Sequence, residues 1–168
     1  MTKILNILYD EHQAILKVIK ALLRECEEDR LNRKFFADAI DFIRNYADKI
    51  HHAKEEAILF KELCKPGVLM HCNPIEQMLY EHEMGRNFVK GMVEGLKENN
   101  KEKIIDGANG YANLLREHIS KEDDILYPMA EESLDQKTKK QILSKFKEAD
   151  HSKKNEINKY ALFANKLK

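Results

Sequence analysis

Residues 74–97, PIEQMLYEHEMGRNFVKGMVEGLK, decide the fold class. Ile75, Met78, His82, Gly85, Val89, Met92 and Leu96 recur at alternating steps of three and four, which puts them on one stripe of an α-helix. Asn73-Pro74 suits the start of that helix and Asn99-Asn100 its end. Outward from it, residues 2–28 carry the same rhythm in Leu8, His12, Ile15, Ile19, Leu22 and Cys26. Residues 33–64 form a second predicted helix, closed by Cys64-Lys65-Pro66-Gly67. Residues 101–127 form a fourth, with Ile104, Ala108, Tyr111, Leu115, His118, Glu122 and Ile125 on its stripe and Pro128 near its end. Residues 134–166 are again helical, broken near Asp150-His151-Ser152. Long helices joined by short loops predict an all-α, antiparallel up-down four-helix bundle with an additional C-terminal helical segment. The expected organisation is one domain over 1–168, the bundle over about 2–128 and the extension over about 133–166.

Composition narrows the function. Lys+Arg and Asp+Glu are both 29 in 168 residues, so the chain lacks the basic excess of a nucleic-acid binder. No run approaches the roughly 20 apolar residues of a membrane span. The start, Met1-Thr2-Lys3-Ile4-Leu5-Asn6, has no apolar run or cleavage signature of a leader. Three cysteines without metal-finger spacing (Cys26, Cys64, Cys72) fit a reduced, cytoplasmic protein.

The informative residues are those that break the apolar stripes. A polar group buried without a partner costs about 1–3 kcal/mol, yet each bundle helix carries one histidine inward: His12, His51, His82 and His118. One such histidine is commonly a structural core residue; one per helix, on facing stripes, is the pattern of a metal site. Two are followed one turn later by a carboxylate, His51-x-x-x-Glu55 and His118-x-x-x-Glu122, which places N and O donors on one face. The spacing alone is weak evidence, because chance alone supplies some such pairs and His52-x-x-x-Glu56 is a third instance.

The windows around them are stronger. HHAKEEAILF (51–60) aligns without gaps on HISKEDDILY (118–127), with five of ten positions identical. Glu-His recurs at Glu11-His12 and Glu81-His82, each near a tyrosine. The chain therefore reads as two similar helical hairpins, each giving one His and then one His-x-x-x-Glu, around a pseudo-twofold site for two metals. At about 100° per residue, Ile58 falls within roughly 20° of His51 but roughly 120° from His52. That phase assigns His51 and Glu55 inward and His52 and Glu56 to a flanking, solvated face. Imidazoles with a few carboxylates suit iron, manganese or zinc, whereas calcium and magnesium prefer all-oxygen sites.

These motifs resemble the hemerythrin-like family, the His-His-Glu cation-binding domains. The resemblance rests on Glu11-His12, on 51–60, on 74–86 and on 118–128, and the C-terminal segment is similar to the extra helix of many members. It implies a four-helix bundle around two non-heme Fe ions, with zinc or manganese able to replace iron. The implied metal ligands are His12, His51, Glu55, His82, His118 and Glu122, the two Glu bridging the ions together with an oxo or hydroxo group. The implied partner is a small diatomic, O2 or NO, bound for storage, delivery or sensing. The alternatives are a di-iron enzyme acting on peroxide, NO or oxygen, and an iron-handling or repair protein. No nucleic acid or membrane is expected, and the oligomeric state stays open. One departure matters: oxygen-carrying relatives place a further His one turn after that of the third helix, and this chain has Arg86. An Arg does not ligate at neutral pH, so that position is under-coordinated, filled by solvent, or completed by another side chain. Arg86 itself reads as a partner of Glu55 or Glu122, or as a surface residue. Tyr80 and Tyr127 read as core or interface aromatics with the metals as the alternative target, and His71 beside Cys72 as a loop residue rather than a second metal site.

Overall fold

The computed structural model describes residues 2–69 and 74–167. Asn73 as a cap, and His71, Cys72 and Met70, lie outside the described residues. Among the described residues six helices follow in order: α1 (Lys3–Cys26), α2 (33–63), α3 (Ile75–Glu98), α4 (101–133), α5 (Gln136–Ser152) and α6 (Lys154–Lys166). There is no strand among the described residues, so the all-helical expectation holds. No described helix is long and apolar enough to cross a membrane.

Local chemistry sets the ends. Asn32 caps α2 by accepting from the Phe35 amide, and Asn100 caps α4 by accepting from the Lys103 amide. Between α3 and α4 the chain turns at Asn99, whose φ of 56° is the left-handed conformation that Asn tolerates. Those two helices then pack closely, because a Cβ on Gly107 would stand 2.8 Å from Met92 Cγ and 3.0 Å from the Phe88 carbonyl. Asp135 caps α5, which with α6 lies back on α1 and α2, burying Phe146, Tyr160 and Ala164. The break between them falls at Lys153, beside the expected Asp150-His151-Ser152.

Helices α2 and α4 are not α-helical throughout. In α2, Ile43–His52 and Glu55–Leu59 wind as π-helix, and Glu122–Leu126 does so in α4. The Ala53, Phe60 and Tyr127 amides reach back five residues, to the Asp48, Glu55 and Glu122 carbonyls. The wider turn shifts the helical phase. Ile58 is only half-buried and Ile125 is 54% exposed, while Leu59, Phe60, Leu126 and Tyr127 take the core positions. The wider turn also carries α4 past Pro128, where sequence periodicity ends it. Pro128 has no N–H to offer the Asp123 carbonyl, and the Tyr9 hydroxyl donates to that oxygen instead, at 2.7 Å.

The core falls into two apolar layers along the bundle axis. One holds Ile15 and Leu22 of α1, Phe36 to Ile50 of α2, Val89 and Met92 of α3, and Ile104 to Ile119 of α4. The other holds Leu5 and Leu8, Leu59 and Leu63, Ile75 and Met78, and Leu126 to Ala130. Every histidine of the bundle interior lies in the interval between them.

Candidate metal centre

The interval is a buried polar layer. His12, His51, Glu55 and Glu122 are fully buried, and His52, His82 and His118 nearly so. Their donor atoms form two groups, His52, His82 and His118 in one and His12, His51, Glu55 and Glu122 in the other, with the atoms of each group within 4.8 Å of one another. All six residues expected from sequence converge here. His52 joins them, which corrects its expected solvent-facing position: the π-helical turn brings the adjacent His51 and His52 onto the same side of α2. Its ring stacks on His82 at 3.8 Å.

Four of the imidazoles are held the same way. Nδ1 of His12 donates to Asp123 (2.7 Å), of His51 to Glu11 (3.0 Å), of His82 to Glu56 (2.8 Å) and of His118 to Glu81 (2.9 Å). A carboxylate can only accept, so each Nδ1 carries the proton. Each ring thus aims its Nε2 inward, as second partners orient ligating histidines in metal proteins. The inner atoms crowd: His82 Nε2 is 3.0 Å from His118 Nε2. Glu122 Oε2 stands 3.2 Å from His12 Nε2 and 3.3 Å from His118 Nε2. Glu55 Oε2 stands 3.5 Å from His51 Nε2 and 3.6 Å from His82 Nε2. Each carboxylate thus reaches one histidine of each group.

Charge shows what the layer lacks. Burial opposes a charged His12, but Asp123 and Glu122 outweigh it and raise its pKa to about 9. His118 is likewise raised to about 10, burial being overcome by Glu122 and Glu81. Burial and neighbouring histidines push His51 and His52 well down. Burial and the nearby Glu122 push Glu55 well up, whereas Glu122 is held low against burial by His118 and His12. Protons on two histidines therefore occupy the place of positive charge. Even so, His51 Nε2, His52 Nε2, Glu55 Oε2 and Glu122 Oε1 have no hydrogen-bond partner. At about 1–3 kcal/mol apiece, four such atoms cost about 4–12 kcal/mol, comparable with the whole stability of a domain. A metal cation among these acceptors would remove that cost, and the donor set fits one.

The surroundings differ on the two sides. Tyr127 stacks on His12 at 5.5 Å and donates to Glu55 Oε1 at 2.6 Å, so it belongs to the site. Tyr80 is 62% exposed and does not. Arg86 reaches neither Glu55 nor Glu122; it pairs with Glu56 at 2.7 Å and Asp48 at 2.8 Å. Sequence reading also missed Glu11, Glu56, Glu81 and Asp123 as histidine partners. Their signal was adjacency: each sits directly beside a candidate ligand in the chain, yet serves a histidine on another helix. Lys54, buried and bonded to both Glu11 and Asp150, had no signal beyond its match to Lys121 in the repeated window.

The family model described as the hemerythrin HHE cation binding domain matches residues 3–130. No curated protein and no solved structure matches the chain.

Proposed function

The chain belongs to the hemerythrin HHE cation-binding family, and from that premise we propose that its buried layer holds two irons that bind dioxygen or nitric oxide. The observation that carries the proposal is the inward convergence of the Nε2 atoms while carboxylates hold the Nδ1 atoms. His12 and His51 would hold one ion and His82 and His118 the other, with Glu55 and Glu122, which reach a histidine of each group, as further donors. His52 completes the second set, in place of the histidine that Arg86 displaces in sequence. Iron in such a site supplies reversible electron transfer and an exchangeable coordination position. The protein's part is to orient the imidazoles through their carboxylate partners, to exclude water with the two apolar layers, and to hold the Tyr127 proton at Glu55 Oε1. The exposed Cys64 thiol fits a reducing, cytoplasmic setting.

Iron content and absorption spectra of protein purified without added metal test this reading. About two irons per chain, as the two donor groups require, and a spectral change when dioxygen or NO reaches the reduced protein are expected. No iron, or no response to either gas, overturns it. The Tyr127 hydroxyl beside Glu55 favours a second reading, turnover of peroxide, because it offers a proton at the centre. Steady peroxide consumption that is lost in Tyr127→Phe would select that reading over reversible binding.

A further inference from the structure

We propose that the cavity between α2 and α3, beside the three-histidine group, binds a small organic monoanion. The cavity measures about 310 Å³. Its floor includes His52 and His82, its apolar wall Ile43, Val89 and Val93, and its rim Arg44, Arg86, Lys90 and Asp48. That volume sits at the lower end of small-molecule sites and corresponds to roughly ten waters at about 30 Å³ each, far more than a diatomic fills.

Charge selects the class of occupant. Three cations and one carboxylate line the rim, and Glu56 and Glu83 also pair with Arg86, which leaves Arg44 and Lys90 to carry the unpaired positive charge. Arg86 is engaged by Asp48 and Glu56. Arg44 and Lys90, both exposed, have no acidic group within ion-pair distance among the described residues. Converging charge at a low-dielectric cleft concentrates ions of the opposite sign. Tyr111 also lines the cavity, and its hydroxyl is fully buried and has no hydrogen-bond partner. It is a donor waiting for an acceptor. A carboxylate on a short hydrocarbon body satisfies all three features: its oxygens meet the cations and the hydroxyl, and its chain meets Ile43, Val89 and Val93. Bound there it lies against His52 and His82 and closes that side of the layer to a diatomic, a consequence that rests on the proposed centre. The anion site itself is built from other residues.

Calorimetric titration of the metal-loaded chain at fixed ionic strength tests the proposal, with butyrate, its neutral isostere butanamide, and chloride as probes. Butyrate is expected to bind about tenfold or more tightly than butanamide, the scale of one hydrogen bond to a charged group. The exposed double variant Arg44→Gln/Lys90→Gln should remove that preference without changing metal content, and Tyr111→Phe should weaken butyrate alone. Val93→Phe should abolish binding by filling the cavity. Equal binding of butyrate and butanamide, no binding of butyrate, or equal competition by chloride would overturn the proposal. Metal content measured on the same samples separates the two claims: a loaded chain that ignores butyrate refutes only this inference, whereas a chain that takes up no metal refutes the proposed centre.

Discussion

The two helical hairpins, α1 with α2 and α3 with α4, assign the same tasks to matching residues. Glu11, just before His12, bonds His51; Glu81, just before His82, bonds His118. Glu56 crosses to His82 and Asp123 crosses to His12, so each hairpin orients a histidine of the other. Lys54 bonds Glu11 as Lys121 bonds Glu81, and Phe60 stacks on His82 as Tyr127 stacks on His12. Against this symmetry, three exchanges stand out. His52 matches Ile119, Phe60 matches Tyr127, and Lys54 is buried under α5 while Lys121 is 39% exposed. The repeat builds the frame, and the exchanges give its two sides different donors and different access. One side is sealed by Tyr127; the other has a third imidazole and a cavity.

The largest expected effect comes from emptying both sides together. A ligand present at about a thousand times its Kd stabilises by about 4 kcal/mol, and about 2–4 °C accompanies each kcal/mol in a chain of this size. Chelation should therefore lower Tm by about 10 °C or more, read by calorimetry; an unchanged curve after verified metal removal contradicts the account. In the metal-free state His12 and His118 have folded pKa values of about 9 and 10, above the unfolded value near 6.5. Their contribution is complete below about pH 6.5 and is lost as pH rises through 9 to 10. Stability of the metal-free protein should fall over that window, while the loaded protein should not follow it, as paired denaturant titrations would show.

The lysines come next. Lys54→Met strands a buried Glu11 and should cost about 3–5 kcal/mol, whereas Lys121→Met, on the exposed counterpart, should cost about 1 kcal/mol or less. Equal losses in urea unfolding would show that α5 does not distinguish the hairpins. Tyr127→Phe makes the second window match the first at that position and should cost about 1–3 kcal/mol through the lost bond to Glu55. Smallest is Arg86→Ala: its ion pairs with Glu56 and Asp48 are partly exposed, so a change below about 1 kcal/mol is expected. A larger loss would make Arg86 part of the frame.

Much of this was legible in the residues. Alternating steps of three and four located the helices, and histidines interrupting those stripes located the polar layer. The gapless match of 51–60 on 118–127 carried the twofold arrangement. What periodicity could not carry was the π-helical winding, because a phase computed at 3.6 residues per turn slips where amides reach back five residues. That slip misplaced Ile58, Ile125 and His52 together, and let Pro128 look like a helix end. The carboxylate partners were hidden for another reason: Glu11 and Glu81 act across helices, and single-helix spacing says nothing about which neighbour a side chain meets.

The most direct test of the central claim, a second metal set completed by His52, is the metal content of His52→Ala measured beside the parent chain. The account predicts about two ions in the parent and about one in the variant, since only the three-histidine group loses a donor. Two ions retained in the variant, or none in the parent, would contradict it.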